Sequence, residues 1–346
     1  MRLFQAMAGA ATGGAEAFFE RLALAFQRAG VEQRVAIRRE PGRARRLRAG
    51  GVDPIEFPFG GWFDFTTKPA MKRAIADWRP QIVLTWMNRA SALCPPTTEA
   101  VPFVQVGRLG GYYDLKHYRH CRHLVANTED IRRHIVAEGW PEERAHYLPN
   151  FVDATPATPV RRAELQTAGD TFTILALGRL HPNKAFDTLL RAFAALPRSM
   201  LWLAGAGPEE SALKLLARDL GVIERVRFLG WREDVAALLG ACDVLVSSSR
   251  HEPLGNVVIE AWAHDRPVIA TASAGPASLI RDGETGLLAP VDDAAALAAQ
   301  IRRAMNDPEL RRRLAQAGRL AYEASFTEQA VVAQYRRFFD RIAGGV

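Results

Sequence analysis

The feature that most constrains this chain is an alternation that runs through it twice. Short apolar stretches, each about one strand long, end in glycine or a polar loop and give way to stretches of helical spacing. In the first half the strand-like stretches are residues 1–8, 31–37, 80–85, 101–106 and 124–126. In the second half they are 171–177, 200–204, 226–229, 243–246 and 267–270. Strands that alternate with helices belong to parallel sheets covered on both faces. Residues 154–163, Ala-Thr-Pro-Ala-Thr-Pro-Val-Arg-Arg-Ala, have the composition of a linker between the two runs. A chain of 346 residues is long enough for two cores. The expectation is two doubly wound α/β domains, 1–155 and 164–326, with helical stretches at 293–306, 308–322 and 327–342. There is no short-period repeat.

The turns carry the candidate chemistry. Gly13 and Gly14 follow the first strand and open a helix over 15–28, with Phe18, Leu22, Ala25 and Phe26 on one face. Without a Cβ, such a turn lets backbone approach a phosphate closely. The first strand of the second half ends in Gly178-Arg179-Leu180-His181-Pro182-Asn183-Lys184. Open α/β sheets bind ligands at the carboxyl ends of their strands. Arg179 and Lys184 bracket a loop there, so both heads can converge on one diphosphate; the bland alternative is two surface cations. Further on, Glu252 and Glu260 bracket Leu254-Gly255-Asn256 and an apolar run. Asn256 is expected to cap a helix whose free N–H groups and partial positive charge suit a phosphate. Glu260 falls one turn later on the same face. Thr128 is expected to cap a helix running to about residue 138. Residues 40–68 read as irregular. They contain the aromatic run from Phe57 to Phe65, either core lining or a lid or membrane-facing loop.

The two glutamates, with seven residues between them and ending in an apolar helix, resemble the signature of the retaining glycosyltransferase family 4 (glycosyl transferases group 1). The likeness extends over nearly the whole chain, most specifically 171–290. Tyr147-Leu148-Pro149-Asn150-Phe151-Val152-Asp153 is similar to the segment that closes the N-terminal domain in that family. The resemblance implies a GT-B fold: two Rossmann-like parallel-sheet domains facing a central cleft, with the last helix packed back on the first domain. It implies transfer of a sugar from a UDP- or GDP-sugar donor to a glycan or glycolipid acceptor of the bacterial cell envelope, with no cofactor and no metal. On this likeness Arg179 and Lys184 contact the donor diphosphate, Glu252 the sugar hydroxyls and Glu260 the ribose. Leu254, Gly255 and Asn256 offer backbone N–H groups. Gly178, Gly205 and Gly207 line the turns, and Leu229 and Trp231 border the base. Gly13 and Gly14 border the cleft from the other domain. Two departures stand out. Many members carry a His after the strand at 101–106, where this chain has Gly107-Arg108-Leu109, and a Glu near 275, where it has Ala277-Ser278.

Charge and cysteine content narrow the location. The chain carries +7 net charge, and of its 45 basic residues only five are lysine. Arg38, Arg39, Arg43, Arg45, Arg46 and Arg48 crowd one segment; Lys116, His117, Arg119, His120, Arg122 and His123 crowd another. Such segments attract phosphates, including those of an anionic membrane, or are solvated loops. His117, His120 and His123 drift around a helix and lack a second ligand cluster, which argues against a metal site. No motif for nucleic-acid recognition accompanies the charge. Three widely spaced cysteines indicate a reducing compartment, hence the cytoplasm. The apolar N-terminus reads as a first strand rather than a signal peptide. A non-catalytic nucleotide-sugar binder, an epimerase or a phosphorylase of the same fold remain alternatives at this level.

Overall fold

The computed structural model describes residues 1–11, 13–60, 64–152 and 154–344. The chain divides into two compact units, one made of Met1–Asn150 with Glu328–Val346, the other of Phe151–Thr327.

The first unit runs β1 (Arg2–Met7), α1 (Gly14–Arg28), β2 (Glu32–Arg38), α2 (Pro41–Ala49), β3 (Ile55–Phe57), α3 (Thr67–Trp78), β4 (Ile82–Trp86), α4 (Met87–Leu93), β5 (Val104–Leu109), β6 (His123–Ala126), α5 (Glu129–Ala137) and β7 (Ala145–Tyr147). Its seven strands are all parallel, in the order β3-β2-β1-β4-β5-β6-β7. The N-terminal residues form the interior strand β1, whose Leu3, Phe4, Ala6 and Met7 are fully buried. Thr128 caps α5 by accepting from the Ile131 N–H at 3.1 Å, a contact worth about 1 kcal/mol.

Residues 40–68 are not irregular throughout. Glu40 accepts from the Gly42 and Arg43 N–H groups and Pro41 occupies the first turn, so α2 starts there. The arginines themselves hid this helix, because they leave few apolar residues to mark a period. Arg43 is fully buried and bonds Glu20; Arg46 also reaches Glu20; Arg48 pairs with Asp53 and Glu56. Much of that basic segment is therefore a paired helix face. Of the aromatic run, Phe57 and Phe59 are buried and Phe65 is exposed; Trp62 and Phe63 lie outside the described residues.

The second unit runs β8 (Phe172–Leu177), α6 (Phe186–Ala194), β9 (Ser199–Ala204), α7 (Glu210–Asp219), β10 (Val226–Gly230), α8 (Val235–Ala241), β11 (Val244–Ser247), α9 (Asn256–Ala263), β12 (Val268–Thr271), α10 (Ala274–Leu279), β13 (Leu287–Ala289), α11 (Ala294–Asn306) and α12 (Pro308–Ser325). Six parallel strands follow the order β10-β9-β8-β11-β12-β13. Helices on both faces bury two apolar clusters, one around Leu189, Leu201 and Ile301, the other around Trp202, Leu245 and Trp262. Val152 is buried in the latter cluster, so residues just after Asn150 already pack with this unit; Asp153 lies outside the described residues.

The last helix, α13 (Glu328–Ala343), belongs to the first unit. Tyr335 and Phe339 meet Phe26 of α1 at ring-centroid distances of 5.7 and 6.2 Å. Tyr335 also accepts from Arg108 Nε at 2.8 Å, and Arg108 Nη2 donates to Asn150 at 2.5 Å. Arg108 is 1% exposed and has no carboxylate partner among the described residues. Its guanidinium instead lies over the rings of Phe18 (4.7 Å) and Trp86 (4.4 Å). Each desolvated contact of that kind is worth about 2 kcal/mol, which offsets the cost of burying the charge. The sequence left Arg108 unassigned; its place is in the interior, holding α13 to β5.

Candidate active site

In a sheet of order β10-β9-β8-β11-β12-β13, the chain reverses direction of winding between β8 and β11. The loops leaving these two neighbouring strands diverge to opposite faces and leave a crevice at the carboxyl edge. The loop after β8 carries Lys184 and the loop after β11 carries Glu252. Their side chains form an ion pair, both mostly shielded from solvent. The other Glu252 oxygen accepts from the Gly255 N–H at 3.2 Å. One carboxylate thus joins two loops that sequence numbering keeps far apart.

The backbone around this pair is tightly fastened. Arg250 N and His251 N donate to Asn183 O at 2.8 and 3.2 Å, and Ser248 Oγ donates to Lys184 O at 2.8 Å. The Arg250 side chain donates to Pro182 O, grips both Asp187 oxygens at 2.9 and 2.8 Å, and pairs with Asp292 at 2.5 Å. Hydrogen bonding from Arg250 holds the Asp187 carboxyl below its usual range. That contribution to stability is present above the ordinary carboxylate pKa and is lost as pH falls through the lowered value. Sequence reading gave Arg250 no role. Its position between two motif residues was the available signal, but its partners, Asp187 and Asp292, lie in separate elements.

Glycines set the approach of the remaining loops. A Cβ on Gly205 would stand 1.8 Å from Gly178 O, and one on Gly207 would stand 2.3 Å from Leu180 O. The turns after β8 and β9 therefore touch through bare backbone. Gly275 comes as close to the Glu252 loop: its N–H donates to Glu252 O at 2.7 Å, and a Cβ there would meet that oxygen at 2.6 Å. This glycine was not among the candidates, although the sequence departs from its apparent relatives just beyond it.

The helix start needs one correction. Asn256 is the first residue of α9, and the cap position belongs to Gly255, at φ 69°. No side chain caps this helix. The left-handed turn at Gly255 brings the chain back to Glu252 and leaves Asn256 no extended backbone from which to cap. Leu254 and Glu260 are half-buried, Glu260 on α9 itself.

Other candidates are more dispersed. Arg179 is exposed, and no carboxylate among the described residues pairs with it. Leu229 and Gly230 end β10; Gly230 O accepts from Gly205 N at 2.7 Å, and Trp231 is 68% exposed. Gly13 and Gly14 sit after β1 of the first unit. A Cβ on Gly13 would strike the Glu16 carboxylate at 2.2 Å, whereas one on Gly14 would meet no atom within 4 Å. Glu16, buried, folds back to accept from the Ala10 N–H at 2.9 Å. Among the described residues no group of three or more His, Cys, Asp or Glu could hold a metal ion. His123 lies on β6 rather than on a helix shared with His117 and His120, and its ring meets His146 at 3.0 Å. Cys94, Cys121 and Cys242 are buried and free. No helix among the described residues is long and apolar enough to cross a membrane.

Comparison with known proteins agrees with this architecture. The family model for Glycosyl transferases group 1 matches residues 158–321, and that for Glycosyltransferase Family 4 matches 12–155. The lipopolysaccharide core biosynthesis glycosyltransferase LpsD of Rhizobium meliloti is 37% identical over 333 residues, 95% of each chain. LpsE of the same organism is 39% identical over 327 residues, 93% of this chain and 94% of its own. Among solved structures, Anabaena HepE in complex with UDP superposes with a TM-score of 0.83 at 19% identity, covering 99% of this chain and all of its own. The fold of both units is thus that of the GT-B glycosyltransferases.

Proposed function

The chain belongs to glycosyltransferase family 4, the glycosyl transferases group 1, and from that premise we propose that it transfers a hexose-type sugar from a UDP- or GDP-sugar to a lipopolysaccharide core, with retention of configuration and without a metal. The observation that carries this reading is the Lys184–Glu252 pair at the crevice between β8 and β11. A donor brings a diphosphate that needs a cation and sugar hydroxyls that need an acceptor. Lys184 and Arg179 serve the first and Glu252 the second. The uncapped start of α9 adds N–H groups and a partial positive charge, and Glu260 on that helix serves the ribose.

In the reaction, the bond between the anomeric carbon and the diphosphate oxygen breaks and its electron pair stays with phosphate. A bond forms from the acceptor oxygen to that carbon, and the acceptor proton passes to the leaving phosphate. Fixed cations stabilise the charge that develops. The acceptor reading draws on the two Rhizobium relatives, named for lipopolysaccharide core biosynthesis. Transfer at the cytoplasmic face of the membrane fits a nucleotide-sugar donor. The experiment is a thermal-shift screen with UDP, GDP and their sugars, followed by product analysis with core oligosaccharide. At 100 times its Kd the matching nucleotide adds about 2.7 kcal/mol, a rise of about 5–10 °C. No shift with either nucleotide removes the donor reading; a shift with no sugar transferred leaves only a binder.

The same pair fixes the sign of a less obvious effect. Glu252 already pairs with Lys184, so a nucleoside diphosphate has to compete for the ammonium. Glu252→Gln should bind UDP or GDP about tenfold more tightly, the equivalent of about 1.4 kcal/mol, while kcat falls about a hundredfold. Calorimetric titration alongside the assay measures both; unchanged or weaker nucleotide binding would show that the two residues do not compete.

A further inference from the structure

A second basic constellation lies on the first unit. Along the edge strand β7, a groove of about 650 Å³ is walled by His146 on one side and by Arg337, Phe338 and Arg341 of α13 on the other. A hollow of about 530 Å³ adjoins it and shares His146 and Arg341. These two residues therefore form the saddle between two concavities.

The charges around the saddle do not cancel. Arg132 of α5 is matched by Glu129 (2.7 Å) and Glu142 (3.4 Å), and Arg144 approaches Glu143 at 4.0 Å. Arg337 and Arg341 have no carboxylate partner among the described residues. They stand four residues apart on one helix, where like charges repel. Arg341 lies over the Phe338 ring at 5.8 Å, and that ring packs against His146 at 4.7 Å and His123 at 6.1 Å. The two imidazoles share one hydrogen bond.

We propose that this saddle binds the phosphate of a phosphorylated saccharide, with Arg337 and Arg341 as its cations and the imidazole pair beside them. Guanidinium groups fork onto phosphate. The groove is large enough for a monosaccharide phosphate. On the reading above, the natural source of such a group is the acceptor glycan; only that identification depends on it. Burial, together with Arg122, Arg144 and Arg341, holds His123 down to about 4, and burial, His123, Arg341 and Arg132 do the same for His146. Glu129, Glu142 and Glu143 are the carboxylates facing this region, and the first two are engaged by Arg132. Both imidazoles are therefore neutral near pH 7, and the two arginines carry the charge of the site.

The test is a titration of the full chain with glucose 6-phosphate, following the imidazole NMR signals of His123 and His146. The expected result is saturation with a Kd below about 1 mM, and weakening of at least tenfold in an Arg337→Gln/Arg341→Gln variant. Both arginines are exposed, so the variant should fold, and its UDP or GDP binding should match the wild type; that arm separates this site from the donor site. The proposal is overturned if glucose 6-phosphate leaves the signals unmoved, if unphosphorylated glucose moves them equally, or if the double variant binds as well.

Discussion

Replacing Arg179 and Lys184 together by glutamine is expected to lower kcat by about a thousandfold or more, with EDTA leaving the wild-type rate unchanged. The magnitude follows from the chemistry. A departing diphosphate gathers negative charge, and removing one preorganised partner of such a charge costs about 10²–10³ in rate. Lys184 is already held in place, its ammonium by Glu252 and its backbone by Ser248. Arg179 lacks such a brace and is exposed, so its single replacement should cost less than that of Lys184. Glutamine keeps hydrogen-bonding capacity and removes charge, so a large loss reports on charge. Steady-state kinetics with a UDP- or GDP-sugar decides the matter. A double variant within tenfold of the wild type, or a wild type silenced by the chelator, would mean that the diphosphate is neutralised by something other than these two side chains.

The second large effect is on stability. Gly205→Ala should destabilise the second unit by about 3 kcal/mol or more, because the new methyl would fall 1.8 Å from Gly178 O. The obstacle is backbone, which cannot rotate away as a side chain would. The backbone at Gly205, with φ 158°, adds little room for adjustment. Gly14→Ala makes the contrast: a methyl there meets no atom within 4 Å, and at the first position of α1 it should be neutral or stabilise by about 0.5 kcal/mol. Urea midpoints for the two variants check both signs. If Gly205→Ala keeps the wild-type midpoint, backbone contact between the turns after β8 and β9 is not what holds them.

Local signals carried the sequence reading well wherever one element was enough. Thr128 before an amphipathic run was legible as a cap, and the strand–turn–helix repeats were legible as two parallel sheets. The turn motifs and the resemblance supplied Lys184 and Glu252 as candidates, but not that they meet. That pairing requires β8 and β11 to be neighbours, and strand order is set by packing between distant segments. Asn256 was misplaced by one position because a glycine in the left-handed region changes where a helix begins, and asparagine and glycine adjoin there. The helix after Glu40 was hidden by its own arginines, one of which, Arg43, is buried against Glu20. Arg108 was opaque for a related reason: an arginine between apolar residues reads as exposed or functional, and only the rings of Phe18 and Trp86 show how its charge is housed.

The position of α13 has a consequence for the order in which a newborn chain can mature. Ribosomes deliver the seven strands of the first sheet early, but the phenol that receives Arg108 comes from Tyr335, after the entire intervening unit has been synthesised. Until then the guanidinium and the face of Phe26 lack their final cover. The contiguous segment Phe151–Thr327 has no such wait, so the part translated later is the one free to finish first, the reverse of the usual N-terminal-first sequence.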